Sequence, residues 1–146
     1  MKKCVKTADL TPRELVTIFK ERTAVFVVEQ NCPYQEVDDV DYDVLHYGIW
    51  SDTGDLKGYT RIIDRGERIS FGRVLVTKDY RGQKLGEELV AGTIEEIAKR
   101  FPGKDIEISA QTYLLPFYQK FGFEITSETY LEDDIEHNDM LLKVEK

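Results

Sequence analysis

The chain has 146 residues, and its 28 Asp and Glu against 20 Lys and Arg give a formal charge of −8 at neutral pH. That length suits a single domain over residues 1–146 with one substantial core, and 41% apolar with 33% charged residues is the composition of a folded globular chain. The acidic balance argues against nucleic acid as a partner, because phosphate backbones are bound through clustered Lys and Arg.

The first element is announced by Thr11-Pro12-Arg13-Glu14, a capping box with Pro at the first helical position. Leu15, Ile18, Phe19, Val25 and Phe26 follow at helical spacing. Arg22 falls on the same stripe, where a cation needs a carboxylate or phosphate partner or must reach out to water. A structural ion pair and a ligand contact both answer that need.

Residues 29–45 read as a long connection carrying the acidic run Asp38-Asp39-Val40-Asp41, a solvated loop or an attractor for a cationic amine. Two strands, His46–Ser51 and Lys57–Ile63, are expected on either side of the turn Asp52-Thr53-Gly54-Asp55, with a third over Arg68–Thr77. Next comes a basic, glycine-flanked turn, Tyr80-Arg81-Gly82-Gln83-Lys84-Leu85-Gly86. It opens into a helix that buries Val90, Ile94, Ile97 and Phe101, turns Glu88, Glu95, Glu96, Lys99 and Arg100 outward, and stops at Pro102-Gly103. A helix N-terminus with free N–H groups and cations nearby suits a pyrophosphate.

Ile106–Ala110 reads as a short strand, and Leu114–Phe121 as a short helix closed by Gly122. Strands over about Phe123–Tyr130 and Asp139–Val144 complete the chain. The order implies a mixed α/β fold: an antiparallel meander, then a β-α-β crossover whose two strands run parallel and part where a ligand enters.

Cys4 and Cys32 show no CxxC or His-paired spacing, so two reduced thiols and no metal site are expected. No apolar run reaches 18 residues and none follows Met1-Lys2-Lys3, so no membrane partner and a cytoplasmic location are expected.

Three stretches, in order and spacing, resemble the GNAT superfamily of acetyl-CoA-dependent N-acyltransferases. Val74-Leu75-Val76 followed by Arg81-Gly82-Gln83-Lys84-Leu85-Gly86 resembles its pyrophosphate loop, Q/R-x-x-G-x-G/A. Phe117-Tyr118-Gln119-Lys120-Phe121-Gly122-Phe123 resembles its late helix-to-strand signature, and the expected helix–strand pair lies between. The segment from Arg22 to Tyr34 and the closing Glu132-Asp133-Asp134-Ile135-Glu136-His137 resemble, more narrowly, the ElaA-like branch. The likeness covers roughly residues 14–144. One departure stands out: Lys84 replaces the pattern's Gly, and the amides can still reach a phosphate if φ there stays negative.

The resemblance implies a mixed, largely antiparallel twisted sheet with splayed central parallel strands, flanked by helices. It implies transfer of an acetyl group from acetyl-CoA to a primary amine of a small molecule or peptide, directly through a tetrahedral intermediate, with no metal. Arg81, Gly82, Gln83, Lys84, Leu85 and Gly86 would hold the pyrophosphate. Leu75 and Val76 would offer backbone groups to the pantetheine arm, the Val76 N–H serving the oxyanion. Tyr118 would be the general acid, although from its spacing alone it reads as a core residue packed with Phe117, Phe121 and Phe123. Glu29, His46 and His137 compete with a water relay as general base. A non-catalytic acyl-CoA sensor would share the same loop. The acceptor amine is not named by these motifs, and a homodimer is common among relatives.

Overall fold

The computed structural model describes residues 1–144. Its strands are β1 (Lys2–Lys6), β2 (Leu45–Trp50), β3 (Leu56–Asp64), β4 (Arg68–Val76), β5 (Asp105–Gln111), β6 (Glu124–Ile125), β7 (Tyr130–Glu132) and β8 (Ile135–Leu142). The helices are α1 (Pro12–Thr23), α2 (Leu85–Arg100) and α3 (Leu115–Gln119). One sheet runs β1-β2-β3-β4-β5-β8-β6, with β7 also paired to β8. Every pairing is antiparallel except β4 with β5.

The capping box forms as the sequence requires. Thr11 Oγ1 accepts the Glu14 N–H at 3.1 Å and Glu14 Oε1 accepts the Thr11 N–H at 2.9 Å, two otherwise unsatisfied donors paired reciprocally. The helix does not stay α-helical to Phe26: Ala24–Glu29 winds as a π-helix, a rare geometry concentrated at functional sites. On one face of the sheet α2 buries Leu89, Val90 and Ile97 against Tyr47, Ile62, Ile69 and Met140. Each such side chain contributes about 1.5–3 kcal/mol when removed from water. Contact is so close that a Cβ on Gly92 would lie 2.1 Å from the Tyr47 hydroxyl. On the other face α1 seats Ile18 beside Trp50, Leu56, Tyr59 and Leu75.

Three strand expectations change. Lys2–Lys6, not expected as a strand, pairs with β2 at the sheet edge; its alternation is masked by three lysines, which suit an edge. The strand expected over Phe123–Tyr130 is broken into β6 and β7. Between them Ser127 Oγ accepts the Asp139 N–H at 2.8 Å and stands in for a ladder bond. The last strand begins at Ile135 rather than Asp139, and His137, Asn138 and Asp139 of its polar run each find hydrogen-bond partners there. Asn138 Oδ1, for example, accepts from Thr112 at 2.8 Å.

The acidic connection is not a solvated loop. Arg22, 0% exposed, donates to Glu36 at 2.6 Å and to Asp41 at 2.7 and 2.9 Å. Arg61 donates to Asp38 at 2.9 Å, and Arg73 pairs with Glu36 and Asp38. Three cations from α1, β3 and β4 thus fix residues 36–41 over the sheet. Arg22 takes the structural ion pair of its two readings, and its partners hold Asp41 down at about 2.

Candidate active site

Strands β4 and β5 pair in parallel only at Arg68–Asp105 and Ile69–Ile106. Beyond that point β4 bulges: its register against β3 shifts between Tyr59 and Arg61, and Arg73 takes φ +49°. A bulge bends the strand and strengthens its twist, which opens the sheet. Thr77 N–H donates to the Lys57 carbonyl at 2.9 Å. By antiparallel alternation the N–H and C=O of the preceding residue, Val76, point to the opposite edge, into the gap.

Two cavities fill this gap. The smaller, about 390 Å³, is lined by Leu75, Val76, Arg81 and Glu29 together with Val25 and Phe26. The larger, about 710 Å³, includes Tyr118 and His137 in its wall. Phe26 of the π-helix lines both.

Beside the smaller cavity lies the basic turn. Gly82 has φ +82° and Lys84 φ +59°, so the expected negative φ at Lys84 is not what forms. A left-handed residue is needed there to swing the chain into α2, which explains why glycine suits this position better. The N–H groups of Gly82 and Lys84 find no acceptor among the described residues. The first amides of α2 likewise have no intrahelical acceptor. No atom stands within 4 Å of a Cβ built on Gly82, and only Phe117 approaches one on Gly86, at 3.9 Å. Exposed, unpaired amides at the positive end of a helix suit a diphosphate.

Arg81 faces the same cavity, but its guanidinium is engaged. Nε donates to the Val76 carbonyl at 2.9 Å, and Nη1 and Nη2 hold Glu29 at 2.9 and 3.0 Å. Both groups are about 40% exposed. The guanidinium lowers the Glu29 pKa, so the geometry gives this carboxylate an ion-pair partner and lessens its basicity.

Tyr118 packs edge-on to Phe117 and Phe123, with ring centroids at 5.2 and 6.0 Å. Its hydroxyl bonds to no group among the described residues, and burial pushes the phenol upward. His137 is 8% exposed, and its Nδ1 lies 2.7 Å from the Ile135 carbonyl. A carbonyl only accepts, so Nδ1 carries hydrogen and Nε2 keeps a lone pair in the neutral ring, 3.4 Å from Glu132. His46 is elsewhere. It is buried between Thr7 and Tyr59 at 2.7 and 2.5 Å, lines neither cavity, and burial drops its pKa to about 4.

Ser109 and Asp139, not singled out from sequence, also line the larger cavity. The Tyr130 ring stacks on His137 at 6.1 Å, and its hydroxyl donates to Asp139 at 2.6 Å while meeting Ser109. A signal was present in Glu136-His137-Asn138-Asp139, a polar run too dense for an ordinary strand. Among the described residues no group of three His, Cys, Asp or Glu could hold a metal, and no helix is long and apolar enough to cross a membrane.

Comparison with known proteins accords with this geometry. The family model described as the acetyltransferase (GNAT) domain matches residues 7–144. This chain belongs to the GNAT acetyltransferase family. Protein ElaA of Escherichia coli is 39% identical over 142 residues, spanning 94% of this chain and 92% of that protein. The crystal structure of Escherichia coli ElaA superposes with a TM-score of 0.93 at 37% identity, covering 98% of this chain and 99% of that one. An acyl-CoA N-acyltransferase from Pseudomonas aeruginosa superposes equally well, TM-score 0.93 at 39% identity, covering 97% and 98%. The GNAT fold, the ElaA kinship and an acyltransferase assignment are therefore established for this chain.

Proposed function

We propose that this GNAT acyltransferase uses acetyl-CoA and carries the acetyl group to a primary amine of a small molecule or peptide. The observation that supports this best is the parted β4–β5 pair with Val76's backbone groups turned into the gap, beside unpaired amides at the start of α2. The thioester supplies an activated acyl carbon; everything else falls to the chain. Gly82, Gln83, Lys84, Leu85 and Gly86 offer N–H groups to the diphosphate, and Lys84 adds a cation. Val76 extends the backbone edge toward the pantetheine arm, whereas Leu75, opposite Tyr59, turns its own backbone groups to β3 rather than to the arm as expected. The Val76 N–H stabilises developing negative charge on the acyl oxygen.

Acid and base are both assigned to the wall of the larger cavity. Tyr118, kept protonated by burial, donates its hydroxyl proton to the departing thiolate. His137, with its Nδ1 hydrogen directed at a carbonyl, takes the proton of the amine at Nε2. Glu29 is not assigned as base, since Arg81 holds it.

The test is thiol release from acetyl-CoA with a panel of polyamines, amino acids and peptides, followed by Tyr118→Phe. The variant is expected to lower turnover by about a hundredfold, the scale of one proton-transfer catalyst, with little change in CoA affinity. Parallel losses in both would make Tyr118 a packing residue. CoA binding with no turnover on any amine would favour a sensor instead.

A further inference from the structure

We infer that Glu29 is an internal competitor for the diphosphate site: its carboxylate occupies the Arg81 guanidinium until a diphosphate displaces it. The inference rests on the proposed acyl-CoA site and concerns a residue that sets affinity for that ligand.

Both Glu29 oxygens face Arg81, one on each terminal nitrogen, so the guanidinium presents to the carboxylate the same two-pronged edge it would present to a phosphate. The third Arg81 nitrogen, Nε, donates to the Val76 carbonyl. Three of the five Arg81 N–H groups, one from each nitrogen, are thus engaged within the protein. A diphosphate on the amides of residues 82–86 brings negative charge next to Arg81, attracts the guanidinium and repels Glu29. Moving Arg81 to the phosphate also frees the Val76 carbonyl, an acceptor pointing into the gap.

Glu29 is held where it is by an unusual piece of backbone. It is the last residue of the π-helix Ala24–Glu29, whose Val25 and Phe26 line the smaller cavity while Phe26 also lines the larger. The wall shared by the two cavities therefore ends in the carboxylate that a diphosphate must push aside. The pair is exposed enough to break at low cost.

The experiment is calorimetric titration of CoA, and separately of pantetheine, which lacks the diphosphate, into the wild-type chain and into Glu29→Gln, Glu29→Ala, Arg81→Ala and the Glu29→Gln/Arg81→Ala double variant at low salt. Glu29→Gln and Glu29→Ala should bind CoA about two- to fivefold more tightly than wild type, the fold-change matching the strength of an exposed ion pair. Pantetheine affinity should not change. With Arg81 already removed, Glu29→Gln should change nothing, which separates a direct contact from a general loss of negative charge. The inference is overturned if Glu29→Gln leaves CoA affinity unchanged or weaker, if pantetheine gains equally, or if the gain persists without Arg81. Absence of CoA binding to the wild-type chain would overturn the acyl-CoA site itself.

Discussion

The molecule holds two sets of arginine–carboxylate pairs, and the same chemistry gives them opposite properties. Arg22, Arg61 and Arg73 share Glu36, Asp38 and Asp41 beneath a loop, with Arg22 and Asp41 sealed from water. Arg81 and Glu29 meet in the open, both about 40% exposed. At its centre Arg22, Glu36 and Asp41 must each stay, because removing one leaves an uncompensated charge away from water. In the open pair either partner can be released to solvent or to a ligand at little cost. Burial, rather than residue type, decides which ion pair is scaffold and which is a contact that can be exchanged.

The largest effect expected from breaking this comparison is at Arg22. Arg22→Ala should lower unfolding free energy by about 3–5 kcal/mol, measured by urea denaturation. Glu29→Ala should change it by less than about 1 kcal/mol. Equal losses would erase the distinction between the two sets.

Acid sharpens the contrast next. Asp41 sits at about 2 in the folded state and titrates near 3.8 when unpaired, so the unfolded chain binds the proton first as pH falls. Its stabilising share is complete above about pH 4 and is lost as pH drops through 2. His46, lowered to about 4 from 6.5, also favours unfolding on acidification, between pH 6.5 and 4. Thermal midpoints should therefore fall in two stages, the first below pH 6.5 and the second below pH 4. His46→Gln should flatten the first stage if it folds. A midpoint constant down to pH 4 would contradict the buried neutral histidine.

The smallest of these effects concerns the open side. Arg81→Ala should weaken CoA binding by about tenfold at low salt, as expected for one charge-assisted contact. The loss should shrink as salt rises. A loss that ignores salt would mean Arg81 acts by packing.

Most of the fold could be read from the sequence because its cues are local. Thr11-Pro12-Arg13-Glu14 caps α1, and Val90, Ile94 and Ile97 mark the buried face of α2. The likeness of residues 74–86 and 117–123 to GNAT motifs supplied the topology. What stayed hidden depends on partners distant in the chain. The meeting of Arg22 with Asp41, 19 residues away, and of Arg81 with Glu29, 52 residues away, leaves no trace in spacing. The tautomer of His137 is set by the Ile135 carbonyl, and the Tyr130 ring reaches it only through the β7–β8 pairing. Lys84 taught the reverse lesson. Its departure from the glycine pattern was visible, but the chain keeps the left-handed turn and accepts the strain.

A crystal structure with bound CoA measures the central claim most directly. The account predicts the diphosphate on the N–H groups of residues 82–86, Arg81 turned from Glu29 toward it, and the pantetheine arm between β4 and β5 beside Val76. CoA bound elsewhere, with that turn empty and the gap unfilled, would contradict it.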